Sequence, residues 1–380
     1  MATRSLLSVT VFATLTCAAP LWHAARAATP AEQCDQAAAD PLDATKPAGV
    51  AGIALDTIEA AKAIAACDAA AAAAPADARL LYQAGRAHEA SDAYDAKALE
   101  LYRKAADLGH VAAMHHAGAM LDDGRGAKRD AAAAEALFRK AVKAGFKPAL
   151  GKLGALLVNE PDKSGSQAEG IDWLRQAIAT GDGDAMAVLG AAYQDGRGVK
   201  ADDASAVDWY RKGAAAGSDL AMFNLGIALQ DGRGTKADPA EAAKWYVQSA
   251  ALGNYGAMDA LGGLYESGRG VAQDDARAAT LYEKAASLGY NPSRVNLAAF
   301  KFTGRGTKKD VTLATELLRL AITDADTGIA DELLDGGKNF YPGTRKAIEG
   351  ILQAAGYLKA DPDETFDDMT IAALKRMQKE

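Results

Sequence analysis

Large and small apolar positions recur along this chain at a fixed step of 36 residues. One column reads Leu101, Leu137, Trp173, Trp209, Trp245, Leu281 and Leu317. Three residues before it runs a column of small residues: Ala98, Ala134, Gly170, Ala206, Ala242, Ala278 and Ala314. Four residues after it runs another: Ala105, Ala141, Ala177, Gly213, Ser249, Ala285 and Ala321. Offsets of three and four share one helical face. Each unit is therefore predicted to hold a helix whose large side chain sits between two positions that permit close approach. A first helix precedes this second one, marked by Ala113, Ala149, Ala185, Ala221 and Ala257, and by Leu153, Leu189, Leu225, Leu261 and Leu297. Its third column is Gly118, Gly154, Gly190, Gly226 and Gly262. Glycine inside a helix costs about 1 kcal/mol against alanine, so its return at one position predicts a crossing helix pressed against that spot.

Polar punctuation joins the two helices. The triplet Gly-Arg-Gly begins at 124, 196, 232, 268 and 304. Its first glycine stands where a left-handed C-cap is wanted, and its second permits a tight return. Asp130, Asp202, Asp238, Asp274 and Asp310 follow as N-cap candidates for the second helix, the clearest being Asp238 with Pro239 and Glu241 behind it. The unit at 146–181 has Asn159, Glu160 and Pro161 in place of the triplet, and Ser166 with Glu169 reads there as a capping box. A period of this size means stacked units that bury their apolar faces only against neighbours. Function is expected on an extended surface.

The string from Ala221, Met222, Leu225 and Gly226 through Gly232, Arg233, Gly234 and Asp238 to Trp245, Tyr246, Ala250 and Gly253 resembles the Sel-one-like repeat, a relative of the tetratricopeptide repeat. Six such units fill 110–325. The segment 78–109, with Tyr82, Gly85, Ala98, Leu101, Tyr102, Ala105 and Gly109, lacks the long loop and is similar to a tetratricopeptide unit. The resemblance implies an all-α, right-handed α/α solenoid (superhelix) of about seven helix-turn-helix repeats with helical caps at both ends. It also implies a surface that binds other proteins, in bacterial envelopes, without catalysis of its own. Residues 326–380 carry a second resemblance. There Leu352, Gly356, Tyr357, Asp363, Phe366, Thr370, Ala373, Leu374 and Gln378 fall at the spacings of a peptidoglycan-binding-like domain, with Thr370 as the cap of its last helix and Glu364 and Asp367 where that family has glycines. It implies glycan contact through Tyr357, Asp363 and Phe366. The other reading of this segment is a polar end-piece of the stack.

The start of the chain reads as an address. Arg4, an apolar run from Leu6 to Ala19, and Ala25, Arg26, Ala27 as a small-x-small cleavage site predict a signal peptide over 1–27 and a periplasmic or secreted chain. A lipoprotein built on Cys17 is the rival, and Thr14, Leu15 and Thr16 fit its motif poorly. No other segment is long and apolar enough to span a bilayer. Cys34 and Cys67 remain after the signal, an even pair predicted to be bridged in an oxidising compartment. Residues 28–77 then form a stapled helical cap, with one helix near Ala31 to Ala39 and another from Ile58 to Ala74 begun by Asp56.

Charge and chemistry narrow the function. The formal net charge of −8 argues against nucleic acid. Arg125, Arg197, Arg233, Arg269 and Arg305 are expected in a row along one edge, either gripping an acidic partner or pairing locally with Asp123, Asp195, Asp231 and Glu266. His88, His110, His115 and His116 have poor ligand spacing and read as solvated helix positions. No nucleophile elbow, phosphate loop or dinucleotide fingerprint is present, so no catalytic residue, cofactor or metal is expected. The tryptophans read as core. Asn224, Asp259 and Asn296, expected exposed on the first helices and differing from unit to unit, are where specificity for a protein partner is placed. The alternative is a wall-associated module that finds peptidoglycan through its C-terminal segment.

Overall fold

The computed structural model describes residues 27–161, 165–324, 328–338, 340, 342–363 and 365–379. The expected signal segment, through residue 26, lies outside them. All regular structure among the described residues is helical, and two compact units divide the chain after His110.

In the first unit, α1 (Pro30–Ala38) and α2 (Ala60–Ala73) pack on each other and on α3 (Ala78–Glu89), which pairs with α4 (Asp95–Asp107). A capping box between Thr29 and Glu32 starts α1. A disulfide joins Cys34 of α1 to Cys67 of α2. The start expected for the next helix is not observed. Asp56 lies in a short 3-10 turn, Leu55–Thr57; Ile58 stays extended with its side chain buried; and α2 has no side-chain cap. A β-branched residue that buries itself in an extended backbone delays the helix. The loop between α1 and α2 is held by buried polar groups. Tyr82 donates to Asp40, Arg79 pairs with Asp35, and Arg86 donates to the carbonyls of Ala38 and Ile53, each at 2.7 Å.

His88 and His110 are not solvated, as the sequence had them. Each is 5% exposed. His88 lies 2.9 Å from Asp68, and His110 lies 3.3 Å from Asp43 with its ring stacked on Tyr82, centroids 4.4 Å apart. Burial works to raise the Asp43 carboxyl, but hydrogen bonds from His110 and Thr45 win and hold it below its ordinary value.

The second unit is an α/α solenoid. Six helix pairs follow one another: α5 (Val111–Asp123) with α6 (Ala131–Lys143), α7 (Pro148–Asn159) with α8 (Ser166–Ile178), and α9 (Gly183–Asp195) with α10 (Asp203–Ala215). Then come α11 (Asp219–Asp231) with α12 (Pro239–Ala251), α13 (Tyr255–Ser267) with α14 (Asp275–Ser287), and α15 (Asn291–Thr303) with α16 (Val311–Thr323). Each pair packs on the next. Three further helices, α17 (Ile329–Leu334), α18 (Pro342–Ala354) and α19 (Asp368–Lys379), share one apolar cluster with the last pair.

Both small columns of the second helices are buried, but the large side chain between them is one residue further on than the sequence suggests. Within the second unit that core column is Phe138, Leu174, Tyr210, Tyr246, Tyr282 and Leu318, each at most 2% exposed. Trp173, Trp209 and Trp245 are only half-buried. Trp209 carries Lys212 over its ring at 4.0 Å, and the Trp173 indole donates to Glu169 at 3.0 Å. From Phe138 to Tyr282 each core side chain meets a glycine of the first helix. A Cβ on Gly118 would come within 2.8 Å of the Phe138 ring, and one on Gly190 within 2.6 Å of Tyr210. The recurring glycine is a socket. Where the column ends in Leu318, the socket position is Ala298. The phenols find acceptors: Tyr210 donates to Gln194 and Tyr246 to Gln230, each at 3.3 Å, and Tyr282 donates to Glu266 at 2.9 Å. Burial pushes the Tyr210 phenol up to about 12, so it keeps its proton and remains a donor.

The turns follow the punctuation. Gly196, Gly232 and Gly268 are left-handed C-caps with φ of 73, 72 and 70°. Asp130, Asp202, Asp238, Asp274 and Asp310 each accept a backbone N–H of the second helix. At α8 the expected capping box is absent. Gly165 takes the cap position, and Glu169 holds Arg139 of the previous second helix through both oxygens, at 2.7 and 2.9 Å. The second glycine of the triplet does more than turn the chain. A Cβ on Gly234 would strike the carbonyl of Asp203, and one on Gly306 that of Asp275, so each loop rests on the start of the preceding second helix. Gly234 also has φ 68°. Gly234→Ala is expected to lower stability by about 2 to 4 kcal/mol, from left-handed strain plus a backbone collision. Gly217→Ala, at φ 90° with nothing within 4 Å, keeps only the conformational part, about 1 to 2 kcal/mol. Thermal melts of the two variants compare them, and equal losses would refute the seat.

Candidate partner-binding cavity

The first helices α13 and α15 bring two of the sequence-predicted residues together. Asn254 caps α13 by accepting the N–H of Ala257 at 2.9 Å, and its amide donates to Asp219 of the previous pair at 2.9 Å. This fixes α13 on α11. One turn on, Asp259 faces α15. Its Oδ1 accepts the Ser293 hydroxyl at 2.6 Å and the Asn296 amide at 3.1 Å. Asn296 is buried, while Asp259 and Asn224 are half-buried. The three are therefore not the exposed positions expected of them; Asp259 and Asn296, on a face packed by the next helix, turn to each other. Burial raises the Asp259 carboxyl above its ordinary value, partly offset by Ser293 and Asn296 and reinforced by the charge of Glu266.

Asp259 and Asn296 line a cavity of about 280 Å³ together with Gln230, Arg269, Glu332 and Phe340. Its walls come from three first helices, from Arg269 and Tyr282 in the loop and second helix after α13, and from the start of the C-terminal segment. Asn224, on α11, is not part of the lining. The arginines of the triplets reach mainly to the preceding pair. Arg197 meets Asn159 and also Asp195, the latter at 3.0 Å; Arg269 donates to the Gln230 carbonyl at 3.3 Å. Arg305 clamps Glu266 at 2.9 Å and Asp275 at 2.7 Å. Arg125 is engaged as well, whereas Arg233 is exposed. Most of the row thus staples unit to unit.

In the C-terminal segment Tyr357 and Phe366 are half-buried against the shared cluster, and Asp363 is exposed, accepting the Thr365 N–H at 2.9 Å and its hydroxyl at 2.6 Å. The cap of α19 is Asp367, which accepts the Thr370 N–H at 2.9 Å. Thr370, expected as the cap, is instead buried inside the helix and donates to the buried Glu349 at 3.1 Å. No group of His, Cys, Asp and Glu among the described residues is placed to hold a metal ion, and no helix among them is long and apolar enough to cross a membrane.

The signal that sequence reading missed is Ser293. It stands in the column otherwise filled by Ala113, Ala149, Ala185, Ala221 and Ala257, so a hydroxyl replaces a methyl group at a fully buried position.

The Sel1 repeat family model matches residues 70–110, 111–146, 183–218, 219–254, 256–290 and 292–326, more than half of the chain. The chain belongs to the Sel1 repeat family. A Sel1 repeat protein from Oxalobacter formigenes shares 30% identity with it, over 62% of this chain and 97% of that one, with a TM-score of 0.50. The protective antigen c5321 of uropathogenic Escherichia coli, which displays an SLR fold, shares 26% over 74% of this chain, with a TM-score of 0.47. The chain spans 56% of the length of c5321. Yeast Tom70, at 15% identity and a TM-score of 0.50 over 84% of this chain, shares the fold alone. A search of curated protein sequences finds no match. The pair α7 and α8 lies outside the matched residues, yet it packs like its neighbours, with Gly154 against Leu174. Sel1 repeats give the chain the capacity of a protein-interaction scaffold.

Proposed function

We propose that this Sel1 repeat chain is a non-enzymatic, exported scaffold or regulator of the bacterial envelope whose first-helix face in the second unit holds a segment of a partner protein. The observation that carries the reading is the polar cavity lined by Asp259, Asn296 and Glu332. There the packed face between two first helices presents a carboxylate and an amide beside an aromatic ring. Export is supported by the Cys34–Cys67 bridge, which a reducing cytosol would not maintain, and by the signal-like start of the sequence. The C-terminal helices in this reading close the stack, since Tyr357 and Phe366 pack inward.

A photo-crosslinking residue placed at Asn224, next to the cavity's helices, is expected to capture one discrete partner in living cells, found in the osmotic-shock fraction. The same residue at Lys244, exposed on the second-helix face, is expected to capture none. Equal products from both positions, or a chain confined to the cytosolic fraction, would count against the reading.

A further inference from the structure

The cavity sits where the repeats depart from their own pattern. The column of Asp259 otherwise holds His115, Gly151, Ala187, Phe223 and Val295, so a carboxylate appears once in the second unit, on a face packed by the next helix. The Ser293 hydroxyl appears opposite it, in the alanine column. Placing an ion there costs desolvation that packing alone never requires.

The hydrogen bonds around that carboxylate are unbalanced. Both donors, Ser293 and Asn296, land on Oδ1; among the described residues Oδ2 accepts no hydrogen bond and no cation pairs with Asp259. Glu332 of α17 lines the same cavity, and among the described residues its side chain has no hydrogen-bond or ion-pair partner. Arg269 is exposed at the rim, with its one hydrogen bond to the Gln230 carbonyl. Glu266, close by, is already taken by Arg305 and Tyr282. Unspent acceptors and negative charge are thus in excess over donors. An apolar wall is present too, from Leu264 and Phe340, which are 2% and 8% exposed. At about 280 Å³ the space lies just below the range of about 300 to 1,000 Å³ typical of small-molecule sites and suits one long side chain.

We propose that this cavity takes a basic side chain, lysine or arginine, from the partner segment, with its cation on Asp259 and Glu332 and its aliphatic stem along Leu264 and Phe340. Such side chains lay their methylene stems on apolar surface while the charged head finds its counter-ions. The inference rests on the partner-binding reading above and names what that face selects.

A random-peptide phage library panned against the full chain tests both. Enriched peptides are expected to share a lysine or arginine at one position. A synthetic copy of an enriched peptide is expected to bind at least tenfold more weakly when that residue becomes norleucine. Against the Asp259→Asn chain the difference between the lysine and norleucine peptides is expected to shrink to the part that Glu332 still supplies, because the two changes remove a shared interaction. Asparagine can keep the contacts with Ser293 and Asn296, and an unchanged melting curve confirms the fold. Glu332→Gln, on the short helix α17, is a second variant expected to weaken the same peptide. Enriched peptides without a basic residue, or losses that simply add, would overturn the inference and leave partner binding standing. A library that yields no binder overturns both.

Discussion

Replacing Tyr246 with alanine is expected to destabilise the second unit by about 3 to 5 kcal/mol, the cost of emptying a fully buried aromatic site that its neighbours cannot refill. Tyr246 is 0% exposed, its ring lies against Gly226, and it belongs to the apolar cluster running from Ala187 to Ala285. Trp245→Ala, one residue away on a half-buried position, is expected to cost about 1 to 2 kcal/mol, in proportion to the apolar area it keeps from water. Tyr246→Phe keeps the ring and gives up only a 3.3 Å hydrogen bond to a half-buried glutamine, for about 1 kcal/mol or less. Urea melts of the three variants, followed by circular dichroism, test the order. If the tryptophan variant proved the weakest, the packing described here would be wrong.

The second large effect is in the first unit. Changing Cys34 and Cys67 together to alanine is expected to cost about 3 to 4 kcal/mol on the chain-entropy account of a loop this long. The sequence separation is 33 residues. The reason the bridge matters so much is local. The interior between α1 and α2 is built from Ala38, Ala39, Ala63, Ala70 and Ala71, which bury little area each, while α1 buries Asp35 and the loop after it buries Asp40 and Asp43. Asp35 and Asp40 hold Arg79 and Tyr82 of α3 only while α1 stays docked. Hydrogen exchange on the intact chain measures this. Amides of α1 and α2 are expected to lose protection in the double variant while those of α11 to α14 keep theirs. Unchanged protection in α1 would show that the bridge is not what holds the helix.

Much of the second unit could be read from the chain because a repeat tests each assignment several times over. Glycine columns, aspartate caps and small-residue columns recur, and geometry allows few ways to satisfy all of them at once. The mistake over the large column has a definite cause. Positions 137 and 138 both stand three or four residues from the small columns at 134 and 141, so spacing alone fits either. Tryptophan then looked the better core residue than tyrosine. The choice was decided by acceptors on the first helix, Gln194, Gln230 and Glu266, which satisfy the phenols and let the rings go fully inside. Pairings across long sequence separations were out of reach for the same kind of reason. Nothing in the string near His110 points to Asp43, and Glu169 looked like half of a capping box until Arg139 claimed it. At the cavity the carboxylate at 259 and the asparagine at 296 were visible as variable positions. Their direct bond is joined by Ser293, a one-atom departure from an alanine column.

The loops in the second unit lean in one direction only. Gly234 rests on Asp203, Gly306 on Asp275, and Arg305 reaches back to Glu266. Adding or removing a whole 36-residue module therefore leaves every such junction intact, whereas a change of a few residues breaks one. Lineages can lengthen or shorten this kind of chain by duplication in whole steps, and the ruler so produced has a front and a back.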